Sequence, residues 1–218
     1  MPALRRLRPQ PDDRLAFLQG FLKRPKEVGS IIPSSRFLER RIIRSAELSG
    51  AQTIVELGPG TGGITRALLH AARPDARVLV IEINPRFIAV LERMRDSRLI
   101  VHTGSAANLA EALAANGLEA PDVILSGIPF STMQRRIGRE ILRSVHDVLK
   151  SEGLFIAYQV RDRVATLGHE VFGRGSVQTE ILNVPPMRVY RWRKGEAIPE
   201  RRRRISHVSR KSRLTLRA

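Results

Sequence analysis

The chain has 218 residues, no cysteine and a formal net charge of +17, from 38 Lys and Arg against 21 Asp and Glu. That length buries a full core and reads most simply as one domain with extensions, while the missing cysteine excludes disulfides, cysteine metal sites and cysteine nucleophiles and fits a reducing compartment. No apolar run approaches the roughly 18 residues of a membrane span and the arginine-rich start lacks a signal-peptide core, so the chain is expected in the cytoplasm or peripheral to a membrane.

The charge is uneven. Residues 1–26 hold seven Lys and Arg against two Asp (+5), residues 195–218 hold eight against two Glu (+6), and the long middle supplies the remaining +6. An anionic partner is expected, and charge alone does not separate nucleic acid from an anionic bilayer.

Residues 1–12 are broken by Pro2, Pro9 and Pro11 and read as mobile. From Asp12 or Asp13 to Arg24 the spacing predicts a helix, with Leu15, Phe17, Leu18, Phe21 and Leu22 on one face and basic residues beside it. Two readings stay open: a helix folded onto its own domain, or one lying in a headgroup layer. Pro25 ends it. In Gly29 to Ser35, Ile31 and Ile32 need cover, which suggests a loop folded over a cofactor, with Ser34 or Ser35 capping a helix from Arg36 to about Leu48.

Thr53 to Gly63 organises the rest. Ile54, Val55 and Leu57 form a short apolar run cut off by glycines, and Ile64, Ala67, Leu68 and Ala71 then recur at helical spacing. Strand, turn and helix follow in order, and Gly58, Pro59, Gly60, Thr61 and Gly62 form a seat that lets a ligand approach the main chain. Gly58, Gly60 and Gly63 also satisfy a dinucleotide pattern. Two carboxylates favour S-adenosylmethionine instead. Glu56, at the end of the first strand, suits a cofactor with an ammonium and a sulfonium and would repel phosphates. Glu82 ends the second strand, Val78 to Ile81, where with Ile83 beside it a carboxylate can accept from both ribose hydroxyls. This arrangement resembles motifs I and II of class I methyltransferases.

Further along, Pro85 to Met94 reads as a helix with Phe87, Ile88 and Leu91 inward, and Leu99 to His102 as a third strand. Gly104, Ser105 and Ala106 follow, where small residues can flank an adenine ring. Helix 107–115 leads to a fourth strand, Val123 to Leu125, and to Ser126-Gly-Ile-Pro-Phe130 at a strand end where open α/β sheets place their chemistry. Helix 133–149, a fifth strand from Leu154 to Val160 and a helical stretch at 161–172 come next. Gln178 to Val184 and Met187 to Arg193 read as a final hairpin around Pro185 and Pro186, and the tail with Arg201 to Arg204 reads as disordered alone. The expected fold is α/β and Rossmann-like, the class I methyltransferase fold: a seven-stranded, mostly parallel sheet with an antiparallel last strand, preceded by N-terminal amphipathic helices. The expected divisions are a basic helical extension at 1–48, a cofactor-binding domain at 49–194 and a basic tail at 195–218.

Phe21 to Ser35, Val55 to Gly62, Ser126 to Phe130 and Asn183 to Tyr190 together resemble the bacterial phospholipid N-methyltransferases, over about residues 17–194. The resemblance implies S-adenosylmethionine-dependent methylation of phosphatidylethanolamine, and of its mono- and dimethyl derivatives towards phosphatidylcholine. The expected partner is an anionic phospholipid surface on the inner face of the cell membrane, with the chain a monomer and without a metal. The related ribosomal RNA adenine-N6 dimethyltransferases are the alternative. They carry Asn or Asp, then x-Pro-aromatic, to grip the adenine amine, whereas this chain has a serine and an inserted residue before Pro129 and Phe130. Nucleic acid is therefore not the expected partner.

The chemistry requires an amine held in line with the methyl group, and such positioning supplies about 7–11 kcal/mol in the best cases. The amine must be neutral, so the site must favour its deprotonation. Tyr158 and Ser126 are the candidates for positioning it, with His169 behind them; Ser126 also stands among the candidate cofactor residues, as do Ser34 and Ser35. Phe130, Tyr158 and Tyr190 are candidate walls for a methylated ammonium, Ile32 and Ile128 candidate substrate contacts, and Arg161, Arg163 and Arg188 candidate ligands of a lipid phosphate.

Overall fold

The computed structural model describes residues 34–195. The expected helix at 13–24, Ile31 and Ile32, and the arginines at 201–204 lie outside them. The elements run α1 (Arg36–Ala46), β1 (Thr53–Leu57), α2 (Gly63–Ala71), β2 (Arg77–Glu82), α3 (Pro85–Leu91), β3 (Leu99–Thr103), α4 (Leu109–Ala115), β4 (Val123–Ser126), α5 (Arg135–Val148), β5 (Leu154–Gln159), α6 (Arg163–Phe172), β6 (Ser176–Glu180) and β7 (Met187–Arg193). The strands form one sheet in the order β3-β2-β1-β4-β5-β7-β6, in which β7 pairs antiparallel with both β5 and β6 and every other pairing is parallel. The expected seven-stranded sheet is present, and its order reverses between β1 and β4, which opens a crevice at their carboxyl ends.

Alternation along the strands divides the core into two layers. Val55, Leu57, Ile81, Ile124 and Phe155 face α4, α5 and α6, while Ile54, Val80, Leu125, Ile156 and Val189 face α1 and α2. Runs such as Thr53–Leu57, buried at every position, follow from a parallel sheet covered on both sides. Phe155, Phe172, Tyr190 and Trp192 stack in the first layer, with neighbouring ring centroids 5.4 to 6.2 Å apart.

Helix α1 is short enough to be marginal alone, and burial fixes it. Ser35 accepts from the Leu38 amide at its N-cap, and Leu38, Ile42 and Ala46 join the core against the sheet. The expected division at residue 48 therefore passes between α1 and the sheet that it packs against.

Three local expectations change. Helix α2 turns Ile64, Thr65, Leu68 and Leu69 inward and leaves Ala71 exposed, because a three-to-four spacing is shared by two adjacent stripes. Helix α3 ends at Leu91. Strand β6 is displaced towards the N-terminus and stops at Glu180, whose carboxylate accepts from the Leu182 amide. Asn183 then accepts from the Ser35 amide and donates to the Pro185 carbonyl, so residues 181–186 form a loop tied to the start of α1.

Candidate active site

The glycine loop leaves β1 and enters α2. At Gly60, φ is +58°, and a Cβ would meet no atom within 4 Å, so the main chain there faces open space. At Gly62, φ is +76°, and a Cβ would lie 2.2 Å from Met94 Cε. Gly60 thus belongs to the cleft and Gly62 to the packing of the loop on the segment after α3. Glu82 pins the loop from the side: it accepts from the Gly60 amide at 3.1 Å, the Ile83 amide at 2.8 Å and the Asn84 amide at 2.9 Å. Three of about four acceptor positions are used, leaving one for a ligand hydroxyl.

Beneath the loop lies a buried polar centre. Glu56 is fully buried, accepting from Thr65 Oγ1 at 2.6 Å and from Tyr158 Oη at 3.3 Å. Burial pushes its carboxyl up to about 7, against the two hydrogen bonds that favour the ion. Burial also pushes the Tyr158 phenol well above its ordinary value, as does the adjacent Glu56 carboxylate. The phenol stays protonated. Alternation brings the two together, since Glu56 and Tyr158 both project to the α1 and α2 side of the sheet. Gly127 makes room for them: a Cβ there would lie 2.6 Å from Tyr158 Oη and 2.8 Å from the Gly58 carbonyl.

Above this centre is a cavity of about 880 Å³, which takes in Ser34, Gly58 to Thr61, Tyr158 and Arg161. Among the further groups that line it, and that the sequence does not mark as site residues, are Glu39, Arg66, Phe87, Gln159 and Asn183. Gln159 donates to the Ile128 carbonyl, and desolvation raises the Glu39 carboxyl above its ordinary range. Glu39 carries the signal of a first-turn acid on α1. Only packing turns it to the cleft.

Other candidates stand elsewhere. Ser126 is fully buried, with its hydroxyl accepting from the Ile128 amide, because its strand position faces the opposite layer. Phe130 and Tyr190 lie in that layer too, at 0% and 4% exposure, so neither walls the cleft; Ile128 packs there beside them. His169 is exposed on the last turn of α6, outside the cleft lining. Arg188 donates to the Val160 carbonyl and Arg163 to the Met133 carbonyl. Ser35 caps α1. At the end of β3, the Gly104 amide donates to the Glu82 carbonyl, Ser105 caps a turn and Ala106 is buried; none of the three lines the cavity. Glu56 itself reaches the cleft only through Tyr158.

These features separate the two cofactors that the sequence left in play. A pyrophosphate needs the loop amides, and here the Gly60 amide is given to a carboxylate. The open backbone at Gly60, the remaining acceptor of Glu82 and the carboxylate of Glu39 fit a cationic, ribose-bearing cofactor.

A family described as "Methyltransferase domain" matches residues 55–155. The chain is 34% identical over 145 residues to the ornithine lipid N-methyltransferase of Singulisphaera acidiphila, a match covering 66% of this chain and 76% of that protein. It is 33% identical over 147 residues to ribosomal RNA small subunit methyltransferase A of Caulobacter vibrioides, a match covering 66% of this chain and 54% of that one. The chain thus spans about half the length of that ribosomal relative. Among solved structures, N-methyltransferase NodS from Bradyrhizobium japonicum superposes with a TM-score of 0.58 at 16% identity, over 72% of this chain and 93% of that one. A second structure of it, in complex with S-adenosyl-L-homocysteine, gives 0.56 at 18% identity, over 74% and 89%. With such relatives on a sheet of this order, the chain belongs to the class I methyltransferases and uses S-adenosylmethionine as its cofactor.

Proposed function

We propose that this enzyme N-methylates an amine-bearing membrane lipid, with phosphatidylethanolamine as acceptor and its mono- and dimethyl derivatives as further acceptors towards phosphatidylcholine. The observation that carries the reading is the match to a lipid N-methyltransferase along 76% of that protein. The enzyme works as a monomer on the anionic inner face of the cell membrane, held there by its basic ends and the segment at 13–24.

When bound, S-adenosylmethionine supplies the methyl group. The chain's own residues hold the cofactor and manage the acceptor's proton. Gly58, Gly60, Glu82 and Glu39 hold the cofactor, and Tyr158 faces the acceptor. Tyr158 Oη accepts a hydrogen bond from the acceptor ammonium while donating to Glu56. Because the phenol resists ionisation, the ammonium proton passes to Tyr158 oxygen as the phenolic proton passes to Glu56, and the amine is left neutral. A carboxyl titrating near 7 is suited to that task. Arg161, at the cleft, takes the lipid phosphate.

The ribosomal relatives support a second reading, methylation of adenine in RNA. The local geometry weighs against it. The Pro129 carbonyl, which would share the grip on an adenine amine, already accepts from the Thr132 amide and hydroxyl, and Ser126 is turned away. The test offers labelled S-adenosylmethionine with phosphatidylethanolamine vesicles, ornithine lipid vesicles and undermethylated ribosomal RNA in separate reactions. Label is expected in phosphatidylethanolamine. Label confined to ornithine lipid would change the acceptor, and label confined to RNA would reverse the reading.

A further inference from the structure

Among the described residues, the exposed large hydrophobic side chains are Val160, Val177, Ile181, Leu182 and Val184. All belong to one end of the sheet, β5 to β7, and three of them sit on the single loop that joins β6 to β7. Ile181 is 73% exposed, Leu182 57% and Val184 80%. Nothing in the fold of 181–184 requires apolar side chains there, since its conformation is set by polar contacts: Glu180 to the Leu182 amide, and Asn183 to Ser35 and Pro185. The loop is also the rim of the cleft, as Asn183, Pro185 and Met187 line the cavity from one side.

The exposed charge around it is mostly positive. Glu180, the only acid between Ser176 and Arg193, is 4% exposed and paired with Arg41 at 2.8 Å. Arg161 lines the cleft, Arg163 follows it at the start of α6 and Arg188 lies on β7 just after the loop; all three are exposed and in no ion pair among the described residues, against the one exposed acid beside them, Asp162. Aliphatic tips flanked by cations complement an anionic bilayer, with hydrocarbon for the tips and headgroup phosphates for the arginines. RNA would take the arginines but is bound by stacking and phosphate contacts, which aliphatic tips do not offer.

We infer that the β6–β7 loop, through Ile181, Leu182 and Val184, inserts into an anionic phospholipid surface and sets the mouth of the cleft against the headgroup layer. This rests on the lipid reading above and places the docking point on the catalytic domain itself. Lipid then enters from the Arg161 side of the rim without leaving the bilayer.

The full chain is sedimented with vesicles of phosphatidylglycerol and phosphatidylethanolamine in equal parts. Ile181→Ser with Leu182→Ser is expected to lower the bound-to-free ratio at least fivefold, with S-adenosylhomocysteine affinity within twofold of the parent. Leu182→Trp gives a direct reading of position. The parent's one tryptophan, Trp192, is 3% exposed in the core, so added quenching by brominated lipid reports on position 182. Quenching well beyond the parent's is expected. A double variant that partitions within twofold of the parent, or Leu182→Trp emission quenched no more than the parent's, overturns the proposal. The lipid reading fails by a different sign: the parent then transfers no label to phosphatidylethanolamine, either in vesicles or as dissolved dihexanoyl monomers. The quenching result decides docking whichever way that transfer goes.

Discussion

Glu56 shows how one residue's surroundings set its chemistry. Its carboxyl is raised from 4.5 to about 7 by burial, so between those pH values the folded chain holds a proton that the unfolded chain has lost. Stability therefore falls as pH rises through that window, by about 3 kcal/mol in full. Catalysis has the opposite sign, because only the ionised form accepts a proton through Tyr158. The parent's kcat/KM should rise with pH through about 7 while its unfolding midpoint drops, and Glu56→Gln should flatten both profiles and lower turnover. A kcat/KM profile in Glu56→Gln with the parent's inflection would remove Glu56 from the proton path. The sequence marks Glu56 as a strand-end carboxylate beside a glycine turn, which suggests direct contact with the cofactor. Its full burial and its two hydroxyl partners come from α2 and β5, the latter strand about a hundred residues away, and sequence periodicity does not report such neighbours.

At the scale of elements, the turn between β1 and α2 is held by both conformation and packing. Gly62→Ala puts a Cβ at positive φ and against Met94, so it should destabilise the fold by about 1–3 kcal/mol, seen as a lower denaturant midpoint with an unchanged slope. Because Gly62 does not line the cavity, affinity for S-adenosylhomocysteine should change little in the folded variant. A large loss of affinity without loss of stability would return Gly62 to the cofactor seat. Most elements were legible to within a few residues, since buried parallel strands are continuous apolar runs and the helices carry one stripe. The β6–β7 loop was not, because Ile181, Leu182 and Val184 look like strand in composition while the hydrogen bonds of Asn183 bend them out of the sheet. Tyr190 lies in the core and not at the cleft for a related reason. Its pairing opposite Ala157 puts it on the α5 and α6 face, and register is a property of two strands together.

For the whole molecule, no described helix is long and apolar enough to cross a membrane. Eleven of the seventeen excess positive charges (5 + 6) lie in residues 1–26 and 195–218. If those charges assist the apolar loop, partitioning onto anionic vesicles should fall at least tenfold between 0.05 and 0.5 M salt, since screening shortens the reach of each charge from about 10 Å at 0.1 M towards 3 Å at 1 M. Partitioning that ignores salt would leave the apolar groups to act alone. By itself the sequence determined the sheet, the strand-turn-helix cofactor unit and the two carboxylates beside it, because local periodicity, glycine placement and strand-end chemistry are encoded within short stretches. Only the tertiary structure decided that Tyr158 joins Glu56, that Ser126, Phe130 and Tyr190 face away, and that Glu39 and the 181–184 loop frame the cleft. Those outcomes depend on which face of the sheet each side chain takes and on distant segments that meet only when the sheet is assembled.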